Sequence, residues 1–484
     1  MVFSSAFFFF FYLPIVLAAY YLTPLKLRNL VLLVLNLIFY AWGEPVYILI
    51  MFLSTAIDYT HGRIVEKCKA KGNDRGARMA VASSVIFNLA LLFFFKYWDF
   101  LMTSFGVQGL FRADLWKAFD GWMRSFGINL PPHTPALPIG ISFYTFQTMS
   151  YTIDVYRGDA KAQRSIINFG TFVTLFPQLI AGPIIKYKDL GDQIDRRDHT
   201  AEKFAAGVQR FTVGLAKKVL LANNIGMLWD IYLATPTQNL TVLGSWLGIL
   251  AFALQLYFDF SGYSDIAIGL GRMLGFEFLE NFNYPYISQS LTEFWRRWHI
   301  SLGTWFREYL YIPLGGNRVS KSRLLLNLMI VWAATGIWHG ASWNFLLWGL
   351  YYGVLLVVEK FFLKKCLDRA PVWLRHVYAL FFILIGWALF AVEDFAQLGP
   401  YLAAMFGFAG GGLWNTDFLY YLASYLPIMA IAVLASTPLG KRLWDKLGEK
   451  PRQIALPILM VAVLLICTCY LVDATYNPFL YFRF

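Results

Sequence analysis

Apolar residues in this chain are grouped into long runs that are separated by short polar segments. A run of about 20 apolar residues is what a helix needs to cross the full hydrocarbon core, and several of these runs are shorter, so we expect tilted or broken helices among them. The pattern predicts an all-α polytopic membrane protein with twelve crossings, at residues 6–22, 29–43, 46–59, 79–97, 137–155, 213–233, 243–262, 324–339, 342–358, 376–392, 418–436 and 454–472.

One further apolar run, at 169–183, differs from the others. It contains Pro177 and Pro183 and has basic residues on both sides. Non-helical backbone at membrane depth is tolerated only where protein or a water-filled cavity satisfies its polar groups. We therefore predict a re-entrant segment that enters and leaves the membrane on the same face.

Composition agrees with a membrane protein rather than with two soluble domains. Hydrophobic residues make up 58% of the chain and charged residues 14%, whereas soluble domains average about 45–50% and about 25%. We therefore interpret residues 1–484 as a single integral-membrane domain.

The basic residues are distributed unevenly between the predicted loops. If the N-terminus is outside, 36 of the 41 Lys and Arg residues lie inside and five lie outside, as the positive-inside rule expects. Both termini and the loop 99–134, which contains a predicted interfacial helix at 115–124, are then outside. The main basic loops, at 63–78, 186–218, 360–375 and 441–452, are inside. The net charge of +12 is thus explained by orientation in the membrane and by attraction to anionic membrane lipids. It does not indicate a nucleic-acid partner.

His339 is the first candidate catalytic residue. It ends the apolar run 324–339, and an ionisable group in a membrane segment is by default a functional hypothesis. An imidazole can take a proton from a hydroxyl nucleophile near neutral pH. Its neighbours Trp338 and Asn344 are candidate substrate-binding residues. The alternative is that His339 stabilises helix packing through an interhelical hydrogen bond.

The segment Phe294-Trp-Arg-Arg-Trp-His299 carries the second histidine. If the segment is helical throughout, Trp295 and His299 are i,i+4 neighbours. Arg296 and Arg297 could bind a phosphate group, or they could anchor the chain at the lipid headgroups.

Two carboxylates, Asp259 and Asp265, lie near the end of the run 243–262. Paired carboxylates can perform acid–base chemistry or bind a substrate, and Asp259 is the candidate binding residue. The alternative is that Asp259 or Asp265 simply pairs with an arginine. The aromatic C-terminal segment 477–484 is either an interfacial belt or a docking strip for a partner protein. No metal-ligand spacing occurs in the sequence.

These motifs together resemble the membrane-bound O-acyltransferase family. FWRRWH and GIWHGASWN are the most specific parts of the resemblance, which covers most of the chain. The similar segments are 137–158, 176–184, 259–316, 336–353 and the ending NPFLYFRF.

The resemblance implies a fold, an activity and roles for residues. The family fold is a ring of about 11–13 transmembrane helices, with re-entrant and interfacial helices, around a central tunnel. The histidine of the WHG-type motif, His339, is the principal catalytic residue, and His299 is the second family position. Acetyl-CoA is the implied donor substrate, with no bound cofactor.

The similar branch of the family implies transfer of acetyl groups outward across the bacterial inner membrane. The acceptor would be an exported polysaccharide such as alginate, and periplasmic acetyltransferase proteins would complete the transfer. Peptidoglycan O-acetylation and teichoic-acid D-alanylation are alternatives with the same motifs. The alternative outside enzymology is a transporter of a polysaccharide or of a lipid-linked precursor, which would be expected to show internal repeats.

Overall fold

The computed structural model describes residues 3–127, 136–179 and 182–473, and within these ranges every regular element is helical. The proposed belt or docking strip at 477–484 lies outside the described residues. The α-helices are α1 (Leu13–Leu22), α2 (Arg28–Gly43), α3 (Ile48–Ala70), α4 (Asp74–Leu92), α5 (Trp98–Ser104), α6 (Arg112–Ser125), α7 (Ile141–Arg157), α8 (Ile166–Thr174), α9 (Phe176–Leu179), α10 (Tyr187–Asp195), α11 (Ala201–Ala216), α12 (Asn223–Ala234), α13 (Val242–Met273), α14 (Leu291–Arg297), α15 (Ile300–Phe306), α16 (Lys321–His339), α17 (Trp343–Val358), α18 (Lys364–Arg369), α19 (Val372–Ala391), α20 (Phe395–Met405), α21 (Thr416–Ala435), α22 (Leu439–Lys446) and α23 (Glu449–Asp473).

Within the described residues, π-helical turns extend five helices or helix pairs without a break, and three of these turns join two consecutive helices. The turns are Phe8–Tyr12 before α1, Phe93–Tyr97 between α4 and α5, Lys217–Ala222 between α11 and α12, Arg307–Tyr311 after α15, and Glu359–Leu363 between α17 and α18.

All twelve predicted crossings lie on helices. In the part of the chain that the structure describes, seven helical segments are long and apolar enough to cross a membrane: Leu25–Gly43, Asp74–Ser104, Val242–Met273, Trp343–Arg369, Val372–Ala391, Thr416–Ala435 and Glu449–Asp473. The prediction of an all-α polytopic membrane protein is therefore confirmed, while the number of twelve crossings stays a prediction.

The chain forms two compact units. Among the described residues, the first contains those within 15–179 and 184–198, and the second contains 3–14, 182–183 and 199–473. In the first unit the run predicted to be re-entrant is broken at Leu175 into α8 and α9. With nine residues, α8 is only about 14 Å long, which is too short to cross the hydrocarbon core.

Glycines determine how the two central helices of the second unit pack. Gly207 and Gly214 on α11 are seven residues apart, as are Gly262 and Gly269 on α13. A Cβ atom at Gly214 would lie 2.6 Å from the carbonyl oxygen of Gly262, and one at Gly207 would lie 2.7 Å from that of Gly269. Helices approach this closely in membranes only where small residues meet.

Candidate active site

His299 lies at a sharp reversal of the backbone and not within a helix. Helix α14 ends at Arg297, Trp298 is extended, and His299 has a left-handed conformation with φ 46° and ψ 53° before α15 begins. The expected i,i+4 relation between Trp295 and His299 is therefore wrong. Backbone hydrogen bonds to Asn281 and Asn283 hold the reversal in place: the Asn283 N–H donates to the Arg297 carbonyl, and the Ile300 N–H donates to the Asn281 carbonyl. Such strained backbone is concentrated at functional sites.

The hydrogen bonds of His299 select its tautomer. The Asn281 side-chain oxygen lies 3.2 Å from His299 Nδ1, and it also accepts from the Ser301 backbone N–H and hydroxyl. Because a backbone N–H always donates, this Asn281 atom must be the oxygen, and His299 Nδ1 must carry the proton. The lone pair is then on Nε2. Burial lowers the pKa of the His299 imidazole to about 3, so the ring is neutral at physiological pH.

His339 is the last residue of α16, and a close contact between α16 and α17 sets its position. A Cβ atom at Gly336 would lie 3.1 Å from the Cα of Gly349 and would also meet the carbonyl oxygen of Phe345. Since Gly336 is one helical turn before His339, this approach fixes where the imidazole enters the protein interior. The side chain is 4% exposed.

Aromatic rings enclose both histidines. The His339 ring packs edge-to-face against Trp348, Trp338 and Phe390, with centroids 5.0, 5.1 and 5.4 Å away. Trp338 also reaches His299, at 6.0 Å. These apolar walls favour a neutral imidazole, which is the form that can accept a proton.

Both histidines line one cavity of about 420 Å³ in the second unit. Arg296 and Arg307 also line this active-site cavity. Both arginines are exposed, and among the described residues no side chain forms an ion pair with either of them. The cavity therefore combines two imidazole rings with two positive charges that are available to an anionic ligand.

The other predicted binding residues are not among the residues that line this cavity: Arg297, Asp259, Trp338 and Asn344. The guanidinium group of Arg297 lies 2.9 Å from the Glu293 carboxylate and donates to the Asn283 carbonyl. Asn344 donates to the carbonyl oxygens of Leu389 and Phe390, which ties α17 to the end of α19.

Asp259 is also placed away from the cavity. It forms a buried ion pair with Lys218, at 2.7 Å, and Asp265 pairs with Arg210 and Lys217. These contacts join α13 to α11 and to the π-helical turn that follows it. Asp265 thus pairs with an arginine, as the alternative expects, whereas the partner of Asp259 is a lysine.

Sequence reasoning missed three residues of the site. Arg307 is one of the two available cations at the cavity, and Asn281 sets the His299 tautomer. The buried Glu359 carboxylate accepts the backbone N–H groups of Leu291 and Thr292, at 2.7 and 2.9 Å, and so caps α14. Of these three residues, only Arg307 could have been found from the sequence, because it is a basic residue in the segment that carries His299.

The comparisons with known proteins identify the family of this chain. The membrane-bound O-acyltransferase family matches residues 157–392, which include both histidines. A probable alginate O-acetylase of Azotobacter vinelandii is 43% identical over 84% of this chain and 78% of its own length. One from Pseudomonas putida is 39% identical over the full length of both proteins. A peptidoglycan O-acetyltransferase of Helicobacter pylori is 32% identical over 82% of this chain and 77% of its own. This chain therefore belongs to the membrane-bound O-acyltransferase family and is an acyltransferase.

Proposed function

We propose that this protein is a membrane O-acetyltransferase that passes acetyl groups from cytoplasmic acetyl-CoA across the bacterial inner membrane, for O-acetylation of an exported, alginate-like polysaccharide. The observation that carries the proposal is the shared cavity of His299 and His339, with Arg296 and Arg307 at the same cavity. The relatives named alginate O-acetylases support the choice of acceptor.

His339 acts as the general base in this proposal. It removes the proton from the acceptor hydroxyl as the hydroxyl oxygen attacks the thioester carbonyl carbon. The tetrahedral intermediate then collapses, the carbon–sulfur bond breaks, and the departing thiolate takes the proton back from the imidazolium. His299, whose Nε2 bears the lone pair, is the second imidazole of the cavity and either orients a substrate or shares the proton transfer.

The two arginines account for recognition of the donor. Acetyl-CoA carries phosphate groups, and guanidinium groups bind phosphate through paired hydrogen bonds. Arg296 and Arg307 are exposed and line the same cavity. Arg297 is engaged with Glu293, so it contributes through the position of α14.

Other functions have less support. Peptidoglycan O-acetyltransferases and teichoic acid D-alanyltransferases are more distant relatives than the alginate O-acetylases. A transporter has less support because the chain belongs to an acyltransferase family. The exported acceptor, any periplasmic acetyltransferase partners and the inner-membrane location remain parts of the proposal.

The test is acetylation of the exported polysaccharide in cells that carry His339→Ala. Loss of a general base typically costs ~10²–10⁴-fold in rate, so O-acetyl groups should disappear from the product by NMR while the protein persists in the membrane. His61→Ala is the matched control, since His61 lies on α3 in the first unit and contacts Ile57 and Ser83. Normal acetylation in His339→Ala would remove His339 from the mechanism.

A further inference from the structure

The first unit contains a fully buried carboxyl group, that of Asp58 on α3, which the proposed acyl transfer does not use. It contacts Ser84 and Asn88 on α4, and Ser84 in turn contacts Thr152 on α7. Asn88 is fourteen residues after the start of α4, or about 21 Å along the helix axis. It lies within Asp74–Ser104, which is long and apolar enough to cross a membrane. Asp58 therefore lies at membrane depth, where ionisable side chains are rare and usually functional.

Asp58 has no positively charged partner on its own helix. Among the described residues, none of the ion pairs includes its carboxyl group. The titratable side chains within one turn of it on α3 are Tyr59 and His61, and both have other contacts. The Tyr59 hydroxyl donates to the Arg164 carbonyl at 2.7 Å, and His61 Nε2 lies 2.8 Å from the Ser83 hydroxyl.

The helices that pack against α3 place no positive charge beside Asp58 either. On α4, residues 79–92 are all uncharged, and α8 contains no titratable residue. On α7, the titratable residues within three positions of Thr152 are Tyr151 and Asp154. The Tyr151 hydroxyl accepts the Gln163 N–H, and Asp154 accepts a backbone N–H at the start of α10. An isolated charge is costly in a water-free interior, and such a group normally changes its protonation state instead.

The hydrogen bonds around Asp58 fit a carboxylic acid better than a carboxylate. The Ser84 hydroxyl oxygen lies 2.6 Å from Asp58 Oδ1, and the Asn88 amide nitrogen lies 3.0 Å from Oδ1 and 2.8 Å from Oδ2. The second Asn88 N–H donates to the Ser84 carbonyl. The next hydroxyl, that of Thr148, lies 3.2 Å from both Asn88 Oδ1 and the Thr145 carbonyl. One hydroxyl and one N–H are thus available to a group that, as a carboxylate, has about four lone-pair sites to fill.

A neutral acid gives each of these groups a partner. Ser84 Oγ lies 3.1 Å from Thr152 Oγ1, which lies 3.2 Å from the Met149 carbonyl oxygen. The acid proton of Asp58 is then donated to Ser84, whose own proton goes to Thr152. Thr152 donates in turn to the Met149 carbonyl, and Asp58 Oδ2 accepts the Asn88 N–H. This chain of donors ends at a backbone acceptor and leaves no charge in the interior.

We propose that Asp58 is a proton-binding site in the membrane core of the first unit. Its carboxyl group takes up one proton from solvent when the chain folds, keeps it at neutral pH, and joins α3 to α4 and α7 as a neutral hydrogen-bonding acid. The inference is independent of the proposed function, because it uses no residue of the active-site cavity.

The test is infrared difference spectroscopy on the purified full-length protein in nanodiscs at pH 7.5. A protonated carboxyl group has a C=O stretching band that is separate from the amide and carboxylate bands. We expect this band in the wild-type spectrum and its loss in the isosteric Asp58→Asn. The matched control is Asp259→Asn, since Asp259 is also buried but forms an ion pair with Lys218 at 2.7 Å. That variant should keep the band.

Thermal unfolding at pH 7.5 gives a second measurement. Asp58→Asn should unfold at or above the wild-type temperature, because its amide donates to Ser84 and accepts from Asn88 without binding a proton. Asp58→Leu should unfold at a lower temperature, since it leaves the buried Asn88 N–H without its acceptor.

Three outcomes would overturn the inference. The first is an unchanged carboxylic-acid region in Asp58→Asn, and the second is failure of this neutral isostere to fold or to match wild-type stability. The third is stabilisation of the wild type by sodium ions that Asp58→Asn does not show, because it would mean that the site holds a carboxylate and a metal cation. Neither measurement uses an acyl donor, so neither depends on the role of His339.

Discussion

At the scale of the residue, the environment of His299 makes stability depend on pH. The ring is 2% exposed and packs against Phe260 and Trp338. Burial lowers its pKa from the ordinary 6.5 to about 3. Between these two values the unfolded chain binds a proton that the folded protein does not. Stability is therefore fully present above pH 6.5 and falls as the pH decreases toward 3.

His299→Gln should remove this dependence while leaving a polar group beside Asn281. Between pH 7.5 and pH 5.5 we expect the wild type to lose roughly 1 kcal/mol more unfolding free energy than the variant. Thermal unfolding in detergent at the two pH values measures the difference. Equal losses in both proteins would show that His299 is not buried as a neutral ring.

The two available arginines should govern use of the donor. Replacing Arg296 and Arg307 with glutamine should raise the apparent KM for acetyl-CoA several-fold. It should also reduce the dependence of KM on salt, because fewer charge contacts are screened. Arg323→Gln is the control, since Arg323 is exposed but does not line the active-site cavity. An unchanged KM across ionic strength would leave Arg296 and Arg307 as membrane anchors.

The sequence predicted the two candidate catalytic histidines of the cavity, but it did not predict the residues that position them. His299 and His339 could be predicted as candidates because ionisable side chains are costly in apolar membrane segments and usually have a function where they occur. Asn281 was not predictable, since eighteen positions separate it from His299 and only the folded chain brings them together. The backbone reversal at Trp298 and His299 could not be predicted either. A residue with left-handed backbone is normally glycine or asparagine, whereas here it is His299.

At the scale of the element, Glu359 supplements the Ser290 cap at the start of α14. Its carboxylate accepts the N–H groups of Leu291 and Thr292, two of the donors that every helix N-terminus leaves without intrahelical partners. A carboxylate at this position also interacts favourably with the helix dipole. Since α14 carries Arg296 and leads directly into His299, the cap positions two groups of the active site.

Glu359→Ala should therefore destabilise the protein by about 1–3 kcal/mol, the cost of leaving buried donors unsatisfied, and should lower acetylation. Glu359→Gln keeps an acceptor oxygen and should recover most of both properties. Melting temperature and O-acetyl content are the measurements. Wild-type acetylation in the alanine variant would show that α14 keeps its position without the cap.

Helix ends were harder to predict than helix existence. The run at 243–262 was expected to stop near the polar residues Asp259 and Asp265, yet α13 continues to Met273. It continues because Lys218 and the pair Arg210 and Lys217 neutralise these carboxylates inside the protein. Hydrophobicity alone cannot show that a charge within a helix has a partner on another helix.

At the scale of the whole molecule, the apolar pattern predicted helices at all twelve runs, but length and composition qualify only seven segments of the described residues as spans. The run 137–155 illustrates the reason. It forms α7, whose residues are mostly buried and include buried polar side chains such as Thr145, Gln147 and Ser150. A helix enclosed by other helices does not need the uniform apolar surface that lipid requires.

Orientation is the molecular property on which outward acetyl transfer depends. The donor is cytoplasmic in the proposed function, so Arg296 and Arg307 must face the cytoplasm. The uneven distribution of Lys and Arg predicts that the loops 63–78 and 441–452 lie on that side and the loop 99–134 on the other. Within the last of these, α6 is an exposed helix that a thiol reagent can reach.

Single cysteines should report this orientation in a background without Cys68, Cys366, Cys467 and Cys469. We expect an impermeant maleimide to label Ala118→Cys in intact spheroplasts. It should label Ala70→Cys and Lys446→Cys only after the membrane is permeabilised. All three positions are exposed, so a failure to label before permeabilisation reports the membrane side and not burial. The reverse pattern would place Arg296 and Arg307 away from the acetyl-CoA pool, and outward transfer from a cytoplasmic donor would then be impossible.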